Sequence, residues 1–588
     1  MMRVATLLVP FLLGACSYVP PRFVDRPPVL DAGDEVPIRV PRVTGLLSAD
    51  TITNLHVRHV LIDGLEFKRK PEAGDINAFD EVPSSSWFRP KGDLPPPDPP
   101  PVPPLTLLQP DQAGTSWPPY TPGSYAGQTG FSRRMTSMEG TVVAALDANG
   151  VRYVLRRDPR EHPGLRTSAE ATAAHLVRAL GYFSPSVTLM DLRAVDFRNV
   201  TSTPPTTPTP PLLAPQVGAS RPDLVRGFLE PGPPPREGRY RLSATRWPPS
   251  PGVDLGATVA IEVRSDDPND RVPHRDRRTL RALGMLAGWL RMRELDPEHL
   301  RDVYVGEPGK GYVQHHLVAL NGAFGADLVG AREEDAGILQ RFFTLGLMPE
   351  APPVRFQTRF PAIGQIDPLV TKRDIDPSPA FAPIDRASRG DEYWLARRIA
   401  ALPPAVVVEA VARGQLGDPV AEAWLVGILE KRRKQLAAYA YGRVTPCDVD
   451  HVEHENLLLR DLGIQQGLWS AGATRYHVEL LNDQGNDSGP ERTLKPAGSK
   501  GEVKVPLPRP VVGAYLVVRL RVERTEGLPA EREPMEVHLI GQPAASVFGA
   551  TGGEKAPPQG KAPQRGAGAA RGGRSAAVAS WVVRGIRH

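Results

Sequence analysis

The sequence predicts a mixed α+β protein built from several domains. A chain of 588 residues is long enough for about three or four domain-sized units. Short strand-like runs lie between 141 and 192 and again between 475 and 540, and helical spacing appears at 167–180, 276–290 and in several segments between 334 and 441. Only two cysteines, Cys16 and Cys447, are present, so the fold must depend on core packing rather than on a disulfide framework.

The first sixteen residues have the pattern of an export signal. Arg3 precedes an apolar run from Val4 to Leu13, and the small residues Gly14 and Ala15 lead directly to Cys16. This run is shorter than the roughly 20 apolar residues that a membrane-spanning helix needs. Leu-Gly-Ala-Cys resembles the bacterial lipobox, which implies that Cys16 is acylated and becomes the mature N-terminus. The alternative is an ordinary secretory signal that happens to contain a cysteine.

These signals indicate where the protein works and what it contacts. We expect a location in the cell envelope, outside the cytoplasm and at the outer membrane, with the membrane as a partner through the lipid anchor. An envelope protein or polysaccharide is expected as a further partner, of unknown identity. The net charge of +5 is modest for this length, and no dense basic stripe is present, so no nucleic-acid partner is expected.

Residues 17–130 are expected to form a proline-rich tether with short ordered patches. The chain has 66 prolines, about twice the average usage, and residues 95–104 form a near-continuous proline tract that favours polyproline II. Leu55 to Phe67 alternates like a strand. Asp80 to Phe88 ends in two adjacent aromatic residues, which are expected to pack on a surface.

The first clear domain is expected at residues 131–445, where strand signals come before helical ones. Asn149-Gly150 is a strong hairpin signal between two β-rich runs. Thr167-Ser168-Ala169-Glu170 has the pattern of a capping box, so a helix is expected to begin there and to end at Gly181. The domain therefore opens with strand, strand, helix and strand, at Thr141 to Leu146, Val151 to Leu155, 167–180 and Val187 to Leu192.

Beyond this start, the sequence predicts a helical region followed by a second β-rich domain. A Thr/Pro-rich loop is expected to be inserted at residues 201–215, and a long helix is expected at 276–290. Residues 446–470 are expected to be a linker or helix. Residues 471–588 are expected to form a small β-sandwich with a disordered insertion at 551–577. Further helices are expected at 334–347, 392–402, 404–413 and 418–441.

Short motifs within residues 80–330 resemble a group of secreted bacterial lipoproteins with a degenerate protein-kinase-like core. These motifs are less specific than a Walker sequence, and the C-terminal helices and sandwich also resemble that group. The resemblance implies a two-lobed core with a helical C-lobe, in which the strand, strand, helix, strand segment belongs to the N-lobe. The matching stretches are Asp80 to Phe88, Arg152 to Pro159, Ser168 to Tyr182, Asp266 to Leu290 and His316 to Gly325.

A kinase needs a strand lysine, a helix glutamate that holds it, a catalytic aspartate with an asparagine five residues later, and a metal-binding aspartate. The resemblance puts Arg156, Glu170, Glu294, His299 and Ala319 at these positions, in that order. Arginine is not equivalent to lysine, the longer glutamate displaces the carboxylate, and alanine has no ligand atom. Glu170 has a second interpretation as the last residue of the capping box.

The resemblance therefore implies a domain without catalysis, and we expect no cofactor. A maintained nucleotide triphosphate pool is also absent outside the bacterial cytoplasm. The first alternative is an atypical phosphotransferase or nucleotide-modifying enzyme that uses Arg156, Glu170 and Glu294. The second alternative is carbohydrate or cell-wall binding through the β-sandwich.

One cluster of metal-capable side chains lies at residues 447–455. His451 and His454 are three residues apart and can share a helical face, so a zinc site would use them together with Cys447. The alternative is an acidic loop that opens a helix with Asp450 as its cap. We favour the loop, and therefore expect no metal.

Overall fold

The computed structural model describes residues 33–43, 72–90, 94, 96–108, 142–199, 223–258, 261–292, 295, 299–329, 358–376, 382–525, 532–543 and 579–588. The predictions for 1–16, Leu55 to Phe67, 201–215, 334–347 and 551–577, including Cys16, lie outside the described residues, as does Glu294. The chain divides into a core unit, residues 28–77 and 81–443, and a C-terminal unit, residues 444–588 with Ala78–Asp80. Both helices and sheets are present, so the predicted α+β class is confirmed.

The elements of the core unit are β1 (Leu105–Leu108), β2 (Val142–Leu146), β3 (Arg152–Arg156), α1 (Leu165–Leu180), β4 (Val187–Arg193), β5 (Phe197–Asn199), α2 (Leu224–Leu229), β6 (Arg239–Arg246), β7 (Gly252–Ala257), α3 (Arg278–Arg281), α4 (Leu283–Leu290), β8 (Leu300–Val305), β9 (Tyr312–Leu317), α5 (Lys372–Ile375), α6 (Ala382–Asp385), α7 (Arg389–Ala401), α8 (Pro404–Arg413) and α9 (Pro419–Tyr441). Short 3-10 segments lie at Ala194–Asp196, His274–Asp276 and Leu320–Leu328. The C-terminal unit has β10 (Cys447–Glu453), β11 (Asn456–Asp461), α10 (Leu462–Gln465), β12 (Thr474–Leu481), β13 (Arg492–Leu494), β14 (Glu502–Pro506), β15 (Tyr515–Arg524), β16 (Met535–Pro543) and β17 (Ala579–Arg587).

A six-stranded sheet begins the core unit, in the order β4-β6-β3-β2-β1-β5. The predicted hairpin is confirmed as β2 and β3, which pair antiparallel around a turn that ends at Gly150 with a φ of 78°. Strand β1 lies between β2 and β5, and its Leu105 and Leu107 are fully buried. The folded sheet thus includes a short strand from the proline-rich region, because two leucines on one face supply the apolar contact that the prolines cannot.

Helix α1 begins earlier than the sequence predicts. Its N-cap is Gly164, so Thr167 to Glu170 lie inside the helix and the capping-box prediction is wrong. The Asp158 carboxylate accepts hydrogen bonds from the backbone N–H groups of Gly164 (2.8 Å), Arg166 (2.8 Å) and Thr167 (2.9 Å). A residue outside the helix therefore caps the first turn. Its carboxylate accepts hydrogen bonds from N–H groups that have no partner within the helix.

The remainder of the core unit is a three-stranded sheet, β7-β8-β9, and a set of helices. The predicted helix at 276–290 is divided at Ala282 into α3 and α4. The predicted helices at 392–402, 404–413 and 418–441 are confirmed as α7, α8 and α9. Helix α1 packs against α8 and against the 3-10 segment that follows β9.

The C-terminal unit contains two sheets, β10-β11-β14 and β13-β12-β15-β16-β17. Both sheets contribute to one buried cluster, in which Leu457 and Val503 come from the first and Val518 and Leu520 from the second. Residues 446–470 were expected to be a linker or helix, but they form β10, β11 and the short α10. The segment is a strand because β11 pairs with strands on both sides, and its residues alternate between buried and more exposed positions.

Candidate functional site

Strand β3 and helix α1 bring the predicted strand cation and helix carboxylate together. Arg156 Nε lies 3.2 Å from Glu170 Oε2, and the two side chains are only 5% and 6% exposed. Ser243 on β6, the register partner of Arg156, donates a 2.8 Å hydrogen bond from its Oγ to the same oxygen. Glu170 is therefore the partner of Arg156 and not a helix cap. Within the described residues, Arg156 Nη1 is buried without a hydrogen-bond partner.

Helix α1 is held from a second side by Arg241 of β6. The Arg241 guanidinium donates to Ser168 Oγ (2.9 Å) in the helix, and to the carbonyl oxygens of Gly414 (2.7 Å) and Gln415 (2.7 Å) beyond α8. Burial lowers the pKa of Arg241, although Asp158 and Asp191 oppose that effect. One side chain thus connects the six-stranded sheet, the helix that carries Glu170 and the turn after α8.

The positions expected for a catalytic asparagine and a metal-binding aspartate also lie close together. The Val318 N–H, one residue before Ala319, donates a 2.8 Å hydrogen bond to the carbonyl oxygen of His299, which is buried. Ala319 adopts a left-handed backbone, with φ 58° and ψ 41°. That conformation costs an alanine about 1 kcal/mol or more, whereas asparagine and aspartate adopt it more readily. The alanine methyl group offers no atom that could coordinate a cation.

Sequence reasoning missed a buried polar cluster around Trp87. The indole stacks on the His315 ring, with a centroid distance of 3.7 Å, and lies edge-on to His274 at 4.7 Å. His315 Nδ1 is 2.8 Å from Asp302, and His274 Nε2 is 2.7 Å from Asp270. Both imidazoles are almost fully buried, so these pairs hold the fold together and do not present a base to a substrate.

The carboxylates of this Trp87 cluster are charged because of their neighbours. Burial alone would raise the pKa of Asp302, but His315 and Arg264, the latter 2.9 Å away, outweigh it and hold that pKa well below its ordinary value. Burial opposes ionisation of Asp270 in the same way, and His274 with Arg277 lowers its pKa strongly. The sequence signal for this cluster is the dense charge of residues 264–281, which overlaps a stretch that resembles the family but does not indicate the contacts.

A segment of the predicted tether, residues 33–43, packs within the core unit. The buried Asp34 carboxylate accepts hydrogen bonds from the Ser86 backbone N–H (2.9 Å) and hydroxyl (2.7 Å), next to Trp87. Further along, the Ile38 N–H donates to Gly311 O and its carbonyl accepts from the Tyr304 hydroxyl, both at 2.8 Å. As the aromatic pattern predicted, Trp87 and Phe88 are buried.

The candidate zinc ligands are not assembled. Residues 447–453 form strand β10, so the predicted shared helical face of His451 and His454 and the alternative helix cap at Asp450 are both wrong. Cys447 is fully buried, whereas His451 is exposed and His454, at the hairpin turn, is 85% exposed. Four residues of extended strand span about 13 Å, so Cys447 and His451 lie too far apart to share one cation. In the described part of the chain, no group of three or more His, Cys, Asp or Glu side chains could hold a metal ion.

No protein-family model matches the chain, and no curated protein matches it. Function is therefore inferred from the geometry of the chain itself. Among the described residues, no helix has the length and apolar character required to span a bilayer.

Proposed function

We propose that this protein is a membrane-anchored extracytoplasmic lipoprotein, whose kinase-like core has lost catalysis and acts as a binding or scaffold module of the cell envelope. In this proposal the six-stranded sheet with α1 is the N-lobe, α7 to α9 belong to a helical C-lobe, and the two C-terminal sheets form a β-sandwich. The observation that carries it is the buried Arg156–Glu170 pair in the same unit as an alanine at 319.

The pair supports a kinase-like origin because a strand cation held by a helix carboxylate is what phosphate positioning requires. Its chemistry nevertheless differs from that of a lysine pair, since Arg156 is a wide, rigid fork and Ser243 donates a hydrogen bond to the same Glu170 oxygen. The left-handed backbone at Ala319 suits aspartate or asparagine better than alanine. In this proposal a polar residue once occupied the position, and its replacement by alanine removed the cation ligand.

The clamped helix also supports a non-catalytic role. Kinase activation depends on moving the helix that carries the glutamate, because the pair must form before phosphoryl transfer. Here Asp158 caps the first turn of α1 and Arg241 ties it to the residues beyond α8. A helix fixed at both places suits a rigid scaffold better than a switch.

One observation favours the phosphotransferase alternative. Among the described residues, Arg156 Nη1 is buried and unpaired, and a guanidinium N–H is a suitable donor to a phosphate oxygen. A nucleotide held there would be expected to use Arg156, Glu170 and Glu294.

Nucleotide-dependent thermal unfolding of the full chain separates the two candidates. We expect Mg²⁺-ATP to shift the unfolding temperature by less than about 2 °C and to give no phosphoryl labelling, because binding stabilises only when ligand exceeds its dissociation constant. The double change Ala319→Asp with Arg156→Lys is expected to produce a larger Mg²⁺-dependent shift. Ala319→Asn with Arg156→Lys is the matched control, since asparagine relieves the same backbone without adding a carboxylate. A large Mg²⁺-dependent shift in the natural protein, lost on Glu294→Ala, would overturn the proposal.

Membrane fractionation tests the anchor. Cys16→Ser is expected to abolish lipid labelling and to release the protein from the membrane fraction, because stable anchoring requires acyl chains. Cys447→Ser is the matched control: its thiol is buried in the C-terminal unit, so the variant should remain membrane-bound. Retention of the Cys16→Ser protein on membranes in high salt would contradict the lipoprotein assignment.

A further inference from the structure

A small, largely enclosed cavity lies within the core unit, with a volume of about 40 Å³. One part of its wall consists of Pro96 and Asp98, which precede β1, and of the end of α1 with the loop after it. The other part consists of the connection between β6 and β7 and of strand β9. Prolines and Phe183 form the apolar part of the wall. The polar part consists of Asp98, Arg178, Ser184, Ser250 and His316.

Three of the polar atoms in this wall lack partners in the described part of the chain. His316 is 2% exposed and neither of its ring nitrogens has a hydrogen bond, and the Ser184 hydroxyl, equally buried, is also unpaired. Ser250 differs, since its Oγ donates a 3.0 Å hydrogen bond to Gln314 Oε1. Buried polar groups are normally hydrogen-bonded, and an unpaired set that faces one cavity indicates a missing partner inside it.

The charge state of His316 restricts what that partner can be. Burial, followed by the positive charges of His315 and Arg178, lowers the pKa of His316 to about 3, so the ring is neutral near pH 7. A neutral imidazole presents one N–H donor and one acceptor nitrogen. An anion offers only acceptors and would leave one nitrogen unpaired. A hydroxyl group both donates and accepts.

We propose that this cavity is a binding site for hydroxyl groups, which pair with His316 and Ser184. A buried water needs at least about 10–15 Å³ and two to four polar partners, so the space suits about three water molecules or one small polyol. The occupant would join the loop after α1, the β6–β7 connection and β9. The site would therefore couple the six-stranded sheet to the strand that leads to Ala319. This inference stands independently of the kinase-like proposal.

Single hydroxyl deletions in the full chain test whether the cavity is occupied. Ser184→Ala is expected to lower the unfolding temperature by roughly 2–4 °C, because an occupant would lose a hydrogen bond. Ser250→Ala is the matched control. The Ser250 hydroxyl already has a protein partner, so its removal is destabilising whether or not the cavity holds an occupant. An unchanged or raised unfolding temperature for Ser184→Ala, with a lowered one for Ser250→Ala, would show a dry cavity and overturn the proposal.

Added glycerol and formate distinguish the source and the class of the occupant. If glycerol stabilises the natural protein more than it stabilises His316→Leu, the occupant is a polyol. If glycerol stabilises both proteins equally and Ser184→Ala still lowers the unfolding temperature, the occupant is bound water. Histidine ¹⁵N spectra are expected to show one protonated and one hydrogen-bonded, unprotonated nitrogen for His316. Stabilisation by formate that disappears in His316→Leu, with an imidazolium spectrum for His316, would identify an anion site and contradict the proposal.

Discussion

The two units of this protein bury different kinds of side chain. In the core unit, charged residues lie at the centre of the packing: Asp302, for example, is fully buried and contacts Arg264 and His315. In the C-terminal unit, the shared cluster is mainly aliphatic and comes from alternate positions of the strands, although this unit also buries the ion pair of Asp461 with Arg524. Val518 and Leu520 face that cluster, whereas Arg519 and Arg521 on the same strand are much more exposed.

This difference explains why one unit is easier to derive from the chain than the other. A two-residue alternation appears in the sequence wherever one face of a strand is buried. A buried ion pair leaves no local signal, because its members come from distant segments and each resembles a surface residue. It also costs desolvation, so each unit depends on complete pairing of the charges that it buries, among them Asp302 with Arg264 in the core unit and Asp461 with Arg524 in the C-terminal unit.

The largest effect is expected from Asp302→Asn in the core unit. The substitution removes the buried carboxylate that contacts Arg264 and His315, and breaking such a buried pair costs about 3–5 kcal/mol. Calorimetric unfolding of the full chain measures the loss. Asp450→Asn is the control, because its 3.0 Å pair with Arg460 is exposed and should contribute at most about 1 kcal/mol. Equal effects of the two substitutions would refute the view that the core unit depends on ionic packing.

A somewhat smaller effect is expected from Leu520→Ala in the C-terminal unit. Truncation of a fully buried leucine costs about 2–5 kcal/mol through lost transfer energy and a residual cavity. The neighbouring Arg521→Ala changes an exposed side chain and is expected to have an effect below about 1 kcal/mol. The same calorimetric traces should show the change in the C-terminal transition alone. An equal shift of the core transition would mean that the units do not unfold separately.

The effect that is smallest at neutral pH is the pH dependence that His316 gives to the core unit. Its folded pKa of about 3 lies below the ordinary unfolded value of about 6.5, so the unfolded chain binds the proton more tightly. The stabilisation is complete above about pH 6.5 and is lost as the pH falls toward 3, by on the order of 1 kcal/mol per pH unit. Chemical unfolding at several pH values should give a shallower slope for His316→Leu. His451→Leu, at an exposed position, should retain the natural slope.

Much of the secondary structure could be derived from short-range patterns. The β2–β3 hairpin follows from Asn149-Gly150, and α7 to α9 follow from helical spacing. The alternation of β15 was sufficient to assign its buried and exposed faces. These signals succeed because a turn or an amphipathic face is encoded by residues within a few positions of one another.

For the candidate site, the resemblance predicted which two residues would pair but not which side chains surround the pair. It paired Arg156 with Glu170, yet Ser243, Arg241 and Asp158 had no such signal. The Trp87 cluster and the His316 cavity were also missed. Ser243 and Arg241 lie on β6, 73 residues along the chain from their partners in α1, so only folding brings them together.

Helix capping in the core unit shows the boundary between what the chain encodes locally and what packing decides. The sequence pattern placed a local cap at Thr167, but α1 begins beside Asp158, and α3 receives its cap from Asp75. The Asp75 carboxylate accepts the Arg278 N–H at 2.6 Å from 203 residues upstream. Local periodicity is sufficient to predict that a helix exists, because its apolar face is continuous along the chain. Its first residue depends on which acceptor reaches the free N–H groups. Asp158 does so from six residues before Gly164, whereas only tertiary packing brings Asp75 to α3.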